Sequence, residues 1–62
     1  MKLRVTIELD NAAFEPGPGQ EVARILRGLA DWSEDQGLLA GESIKLLDFN
    51  GNHVGKVEVA RT

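Results

Sequence analysis

The spacing of apolar residues changes along this chain, and that change restricts the available folds more than any other feature. Residues 2–10 read Lys-Leu-Arg-Val-Thr-Ile-Glu-Leu-Asp, which puts Leu3, Val5, Ile7 and Leu9 on one side and Lys2, Arg4, Thr6, Glu8 and Asp10 on the other. Such alternation marks a half-buried strand, because successive side chains of a strand point to opposite faces. From about Pro18 the spacing becomes three and four, so that Val22, Ile25, Leu26, Leu29 and Trp32 fall on one stripe of an α-helix. Pro18 suits the first helical position, Glu21 meets the positive end of the helix dipole, and Gly37 fits the residue that terminates the helix. Gly28 lies inside this helix at a cost of about 1 kcal/mol relative to alanine. Close approach of the helix to a sheet would explain it.

Between these elements, residues 11–19 hold both prolines and two glycines, which makes them a loop with Phe14 as its one large apolar anchor. Residues 38–43 connect the helix to the C-terminal third of the chain, with Leu38 or Leu39 closing the end of the core. Residues 44–49 and 54–60 then read as strands around Asn50-Gly51-Asn52-His53, a hairpin signal. A turn centred on Gly51-Asn52 sets Ile44 against Val59, Leu46 against Val57 and Lys45 against Glu58. A turn centred on Asn50-Gly51 sets Lys45 against Lys56, so cross-strand charge pairing favours the first register.

The expected fold is therefore α+β: a β-α-β-β chain forming a three-stranded antiparallel sheet with one helix packed on one face. Strand order 1-3-2 makes all neighbours antiparallel, and 1-2-3 is the alternative. The expected core is Leu3, Val5, Ile7 and Leu9 with Ile44, Leu46, Val57 and Val59, covered by the helix stripe. Sixty-two residues leave room for one domain spanning residues 1–62, and a chain this short buries only about 60% of its unfolded surface. Without cysteine it builds no disulfide, thiolate zinc site or cysteine nucleophile. No stretch has the length and character of a signal peptide or membrane span, so the expected location is the cytoplasm. Seven basic against ten acidic residues give a net charge of −3, which disfavours general affinity for phosphate backbones and favours a basic partner surface.

Motifs for chemistry are sparse. His53 is the one histidine and lies in the expected turn, where a solvated surface residue explains it better than a general base. Ser33 and Ser43 have no histidine or lysine at a suggestive spacing, and so short a chain has little material for walling off a substrate cleft. The stretch Asp48-Phe49-Asn50-Gly51-Asn52 alternates oxygen donors like the start of a calcium loop. The sixth and twelfth positions of such a loop would be His53 and Val59 rather than glycine and glutamate, which favours a simple turn. Gly17-Pro18-Gly19 precedes a helix without the lysine and glycine spacing of a phosphate loop. The chain is thus expected to be non-enzymatic, with no catalytic residue, no cofactor and no metal.

Two surfaces remain as candidates. Asp31, Glu34 and Asp35 crowd the last helical turns, where the dipole disfavours negative charge and where Asp31 and Asp35 repel at i, i+4. With Trp32 and Glu42 they form a candidate protein-binding patch, the simpler explanation being a helix end kept soluble by charge. The uncovered sheet face is expected to carry Lys2, Arg4, Thr6, Lys45 and Lys56 together with Leu47, Phe49 and Val54. These three apolar residues form a second candidate interface, through a homodimer or a partner, unless the 11–19 loop covers them. The same face, with Phe49 among Arg4, Lys45 and Lys56, also allows base stacking on a nucleic acid.

Asp10-Asn11-Ala12-Ala13-Phe14, Ala23-Arg24-Ile25-Leu26-Arg27, Leu29-Ala30-Asp31, Leu47-Asp48, Asn50-Gly51-Asn52 and Val54-Gly55 resemble stretches of small, mostly uncharacterised proteins of bacteriophages and prophages. The resemblance implies a phage protein. Small acidic proteins of this kind include anti-CRISPR proteins, which inhibit host defence by binding an effector complex; the resemblance carries no binding residues across. Arg24 and Arg27 interrupt any continuous DNA-like acidic stripe. The functional expectation is a protein that binds a basic surface on a host nucleic-acid-targeting complex. The alternatives are a small nucleic-acid-binding module using the open sheet face and a structural phage component that oligomerises.

Overall fold

A computed structural model describes residues 1–61 and contains β1 (Lys2–Ile7), a 3₁₀ turn (Ala12–Phe14), α1 (Gly19–Gln36), β2 (Ser43–Leu47) and β3 (His53–Ala60). The three strands form one antiparallel sheet in the order β1-β3-β2, with the helix on one face. This is the β-α-β-β, α+β arrangement expected from the change of apolar spacing. The helix begins where the Pro18 carbonyl accepts from the Val22 N–H at 3.0 Å. It ends at Gly37, whose φ of 71° lies in the region that glycine enters without a Cβ clash.

Strand β1 pairs with β3 so that Leu3 faces Val59, Val5 faces Val57 and Ile7 faces Gly55. On the other side of β3, Ile44 faces Val57, Lys45 faces Lys56 and Leu46 faces Gly55. The register favoured by charge pairing is therefore wrong, for two local reasons. The Asp48 carbonyl accepts from the Gly51 N–H at 3.0 Å, and Gly51 has φ 85°, so Phe49, Asn50 and Gly51 form a three-residue loop that sets Leu47 against His53. The register then shifts between Leu46 and Leu47, leaving Val54 as an extra residue on β3. Lys56 finds Glu58 on its own strand at 3.6 Å, which softens the Lys45–Lys56 juxtaposition.

The core joins Ala13, Phe14, Ile25, Leu46, Val54 and Val57, flanked by Ile7, Val22, Leu29 and Ile44. Val57, on the central strand under the helix, is completely buried, and Phe14 anchors the 11–19 loop at 2% exposure. Leu3 and Val5 point to the helix side through their pairing with Val59 and Val57, yet remain 50% and 39% exposed. Leu9, beyond the end of β1, is also exposed. A single helix is too narrow to roof the whole sheet, so the apolar side of β1 is only partly covered. Gly28 has open space where a Cβ would stand and makes no close approach. The close approach is at Gly55, where a Cβ would collide with the Thr6 carbonyl oxygen and lie 3.0 Å from Ile7 Cα.

Candidate functional site

The helix N-terminal half, the 3₁₀ turn and the β2–β3 turn meet in a polar cluster built on two buried carboxylates, Glu21 and Asp48. Asp48 Oδ1 accepts from the Asn50 and Asn52 backbone N–H groups, both at 2.9 Å, and Oδ2 accepts from Asn11 Nδ2 at 2.7 Å and Asn52 Nδ2 at 3.2 Å. Asn11 in turn caps the 3₁₀ turn by accepting from the Ala13 N–H at 2.7 Å. Glu21 receives a two-pronged contact from Arg24, Nε to Oε1 and Nη2 to Oε2, each 2.8 Å, and its Oε2 also accepts from the Phe49 N–H at 2.8 Å. Arg24 Nη2 reaches onward to the Leu47 carbonyl at 3.2 Å.

Burial alone would raise the Asp48 carboxyl, but the Asn52 N–H, the Asn11 and Asn52 amides and the Asn50 N–H together hold it below the ordinary aspartate value. The Arg24 guanidinium is the chief cause that holds Glu21 below the ordinary glutamate value, against desolvation and with help from the Phe49 N–H. Both carboxylates are occupied by donors of the chain itself, so their chemistry is to fasten the turn to the helix and loop. The alternating oxygens of residues 48–52 thus serve a turn. His53 is exposed and donates from Nε2 to the Gly55 carbonyl at 2.8 Å, two residues along its own strand.

At the opposite end of the domain the helix presents Asp31, Glu34 and Asp35 to solvent. No ion pair reaches these three among the described residues, and the last helical turn holds no basic residue. Trp32 is half-buried and lines an open groove of about 300 Å³ between α1 and β2, with Leu29, Ile44 and Leu46. Glu42 closes the loop between helix and β2: its Oε1 accepts from the Leu39 N–H at 2.8 Å and its carbonyl accepts from the Val59 N–H at 2.9 Å. It therefore has an internal task that the three helix carboxylates lack. Leu38 is half-buried and Leu39 exposed, and neither packs against the core cluster among the described residues.

The second candidate interface does not hold together. Val54 is buried in the core beside Phe14, because the bulge turns it inward, and only Leu47 and Phe49 are exposed, at 48% and 63%. Phe49 sits in the turn and Leu47 faces His53, so the expected Phe49–Val54 pair does not form. The open sheet face carries polar rows, Thr6–Lys56–Lys45 and Arg4–Glu58–Ser43, with no aromatic ring among them. Sequence reasoning missed the Glu21–Arg24 pair, whose available signal was carboxylate and guanidinium at i, i+3 in the first helical turns.

Comparison with protein-family models, with curated proteins and with solved structures returned no match.

Proposed function

We propose that this domain is a non-enzymatic protein-binding module that works through its acidic helix end, Asp31, Trp32, Glu34 and Asp35, with Glu42 at the same end of the fold. The observation that carries this reading is a contrast between carboxylates. Glu21, Asp48 and Glu42 are engaged by donors within the chain, whereas Asp31, Glu34 and Asp35 stand exposed at the negative end of a helix dipole. Charges placed there weaken the helix and gain only when a positively charged surface covers them. Trp32 adds an aromatic edge beside them, the kind of residue that anchors protein interfaces.

The partner is a protein with a basic surface, and a surface that otherwise holds nucleic acid has the right charge. The phage-protein resemblance favours a host defence complex as its bearer, making this domain an inhibitor of that complex. The test compares the wild-type domain with the Asp31→Ala, Glu34→Ala, Asp35→Ala triple variant, both immobilised and exposed to bacterial lysate at low and moderate salt. Proteins held by the wild type, released by salt and absent from the folded triple variant support the reading. Equal retention by both removes it. Titration of labelled single-stranded RNA and DNA at low salt checks the alternative, and tight binding there would transfer the function to the basic sheet face.

A further inference from the structure

Strand β1 is an edge of the sheet, and an edge strand displays unpaired backbone groups. Glu8 donates its N–H to the Val54 carbonyl at 2.7 Å, so the even-numbered residues of β1 direct their backbone groups to β3. Leu3, Val5 and Ile7 accordingly direct their N–H and C=O groups away from the sheet. The same segment is half-exposed on its apolar side at Leu3 and Val5. On the helix flank opposite the Trp32 groove, Leu26 is exposed as well. The charges along this segment are ordered, with Lys2 and Arg4 in the first half of β1 and Glu8 one residue past its end.

We infer that β1 is a self-complementary interface that pairs antiparallel with β1 of a second copy, about a two-fold axis at Val5. In that register Val5 lies opposite the partner's Val5, Leu3 opposite the partner's Ile7, and Arg4 opposite the partner's Thr6. Lys2 lies opposite the partner's Glu8, so each end of the paired strands carries a cross-strand ion pair. The backbone groups at the axis are those of Val5, which the fold leaves free, and the apolar sides of both strands merge into one face between the two helices. The interface is isologous and closes at two chains. The other edge lacks this match: β2 paired with itself about its middle residue sets Lys45 against Lys45, and Arg24 already occupies the Leu47 carbonyl. This inference rests on a surface separate from the acidic helix end.

Sedimentation equilibrium over micromolar to millimolar concentrations, with amide exchange by NMR in the same range, tests it. The wild type shows a reversible monomer–dimer equilibrium. The amides of Leu3, Val5 and Ile7 exchange freely when dilute and become protected as dimer forms, while Arg4, Thr6 and Glu8 stay protected throughout. Glu8→Lys raises the dimer dissociation constant about tenfold, since two cross-strand pairs turn repulsive. The double swap Lys2→Glu, Glu8→Lys restores the pairing to within about twofold of wild type. Val5→Pro removes an N–H that points away from β3 and abolishes the dimer; should it fail to fold, the charge swap decides. A monomer at millimolar concentration overturns the inference. So does a dimer whose Leu3, Val5 and Ile7 amides still exchange freely, or a double swap no better than Glu8→Lys.

Discussion

Replacing Gly55 by alanine adds a single methyl group on the central strand, opposite Ile7 at the end of β1, where a Cβ meets the β1 backbone. The new Cβ would stand 3.0 Å from both the Thr6 carbonyl carbon and Ile7 Cα, and would overlap the Thr6 oxygen. All three obstacles are backbone, so no side chain can swing aside and β1 must move off β3. Overpacking of this kind costs about 1–3 kcal/mol, and the displacement weakens adjacent ladder bonds such as Glu8 to Val54, each contributing about 0.5–1.5 kcal/mol. A loss of about 3 kcal/mol follows, against a total of about 3–9 kcal/mol for a domain of this size. The midpoint of thermal unfolding falls by about 12–24 °C. Urea and thermal unfolding followed by far-ultraviolet circular dichroism and Trp32 fluorescence measure both quantities. Gly28→Ala is the internal control of opposite sign: its Cβ meets open space inside a helix, and it stabilises by about 0.5–1 kcal/mol. If Gly55→Ala unfolds within about 0.5 kcal/mol of wild type, the close approach of β1 to β3 is not what demands glycine there.

Acid titration addresses the polar cluster. The folded Asp48 and Glu21 carboxyls sit below their unfolded values of about 3.9 and 4.3, so their contribution is complete above that range and is lost as pH falls through the depressed folded values. Urea midpoints between pH 2 and 7 therefore decline at the acid end, and Asp48→Asn flattens that decline. Phe14→Ala, which empties the anchor of the loop, costs about 3–5 kcal/mol; circular dichroism at 37 °C shows a largely unfolded chain. The Asp31→Ala, Glu34→Ala, Asp35→Ala variant that loses its partner gains about 1 kcal/mol of stability from relief of the helix end. Urea unfolding reads that gain, and a less stable variant would mean that these carboxylates hold the fold together.

The strands, the helix and the sheet order were legible because period two and period 3.6 place apolar residues on opposite or shared faces, and because only one order makes every neighbour antiparallel. The β2–β3 register was not, since a cross-strand Lys45–Glu58 charge pair contributes too little to decide it. Turn geometry prevails instead: Asp48 gathers the Asn50 and Asn52 N–H groups, Gly51 takes a positive φ, and Val54 is inserted as a bulge. Periodicity also says which way Leu3 and Val5 point without saying how wide the cover is. Phe14 could be picked out as an anchor because no other large apolar residue lies in its loop. Of the candidate surfaces, the acidic helix end was visible as charge in an unfavourable place. The apolar patch of Leu47, Phe49 and Val54 was not legible as false, because it takes a bulge to turn Val54 inward and a turn to remove Phe49 from the strand.

The placement of the Asn11–Asp48 and Glu21–Arg24 clasps divides the helix unequally. Its two buried residues, Glu21 and Ile25, both lie in its first half, so the clasped end melts only with the whole domain. The last turns, held by the Gly37 N–H to the Ser33 carbonyl and the side of Trp32, open at lower free energy. The domain therefore behaves as a rigid handle with a pliant tip, and a partner that grips the tip must also supply its order.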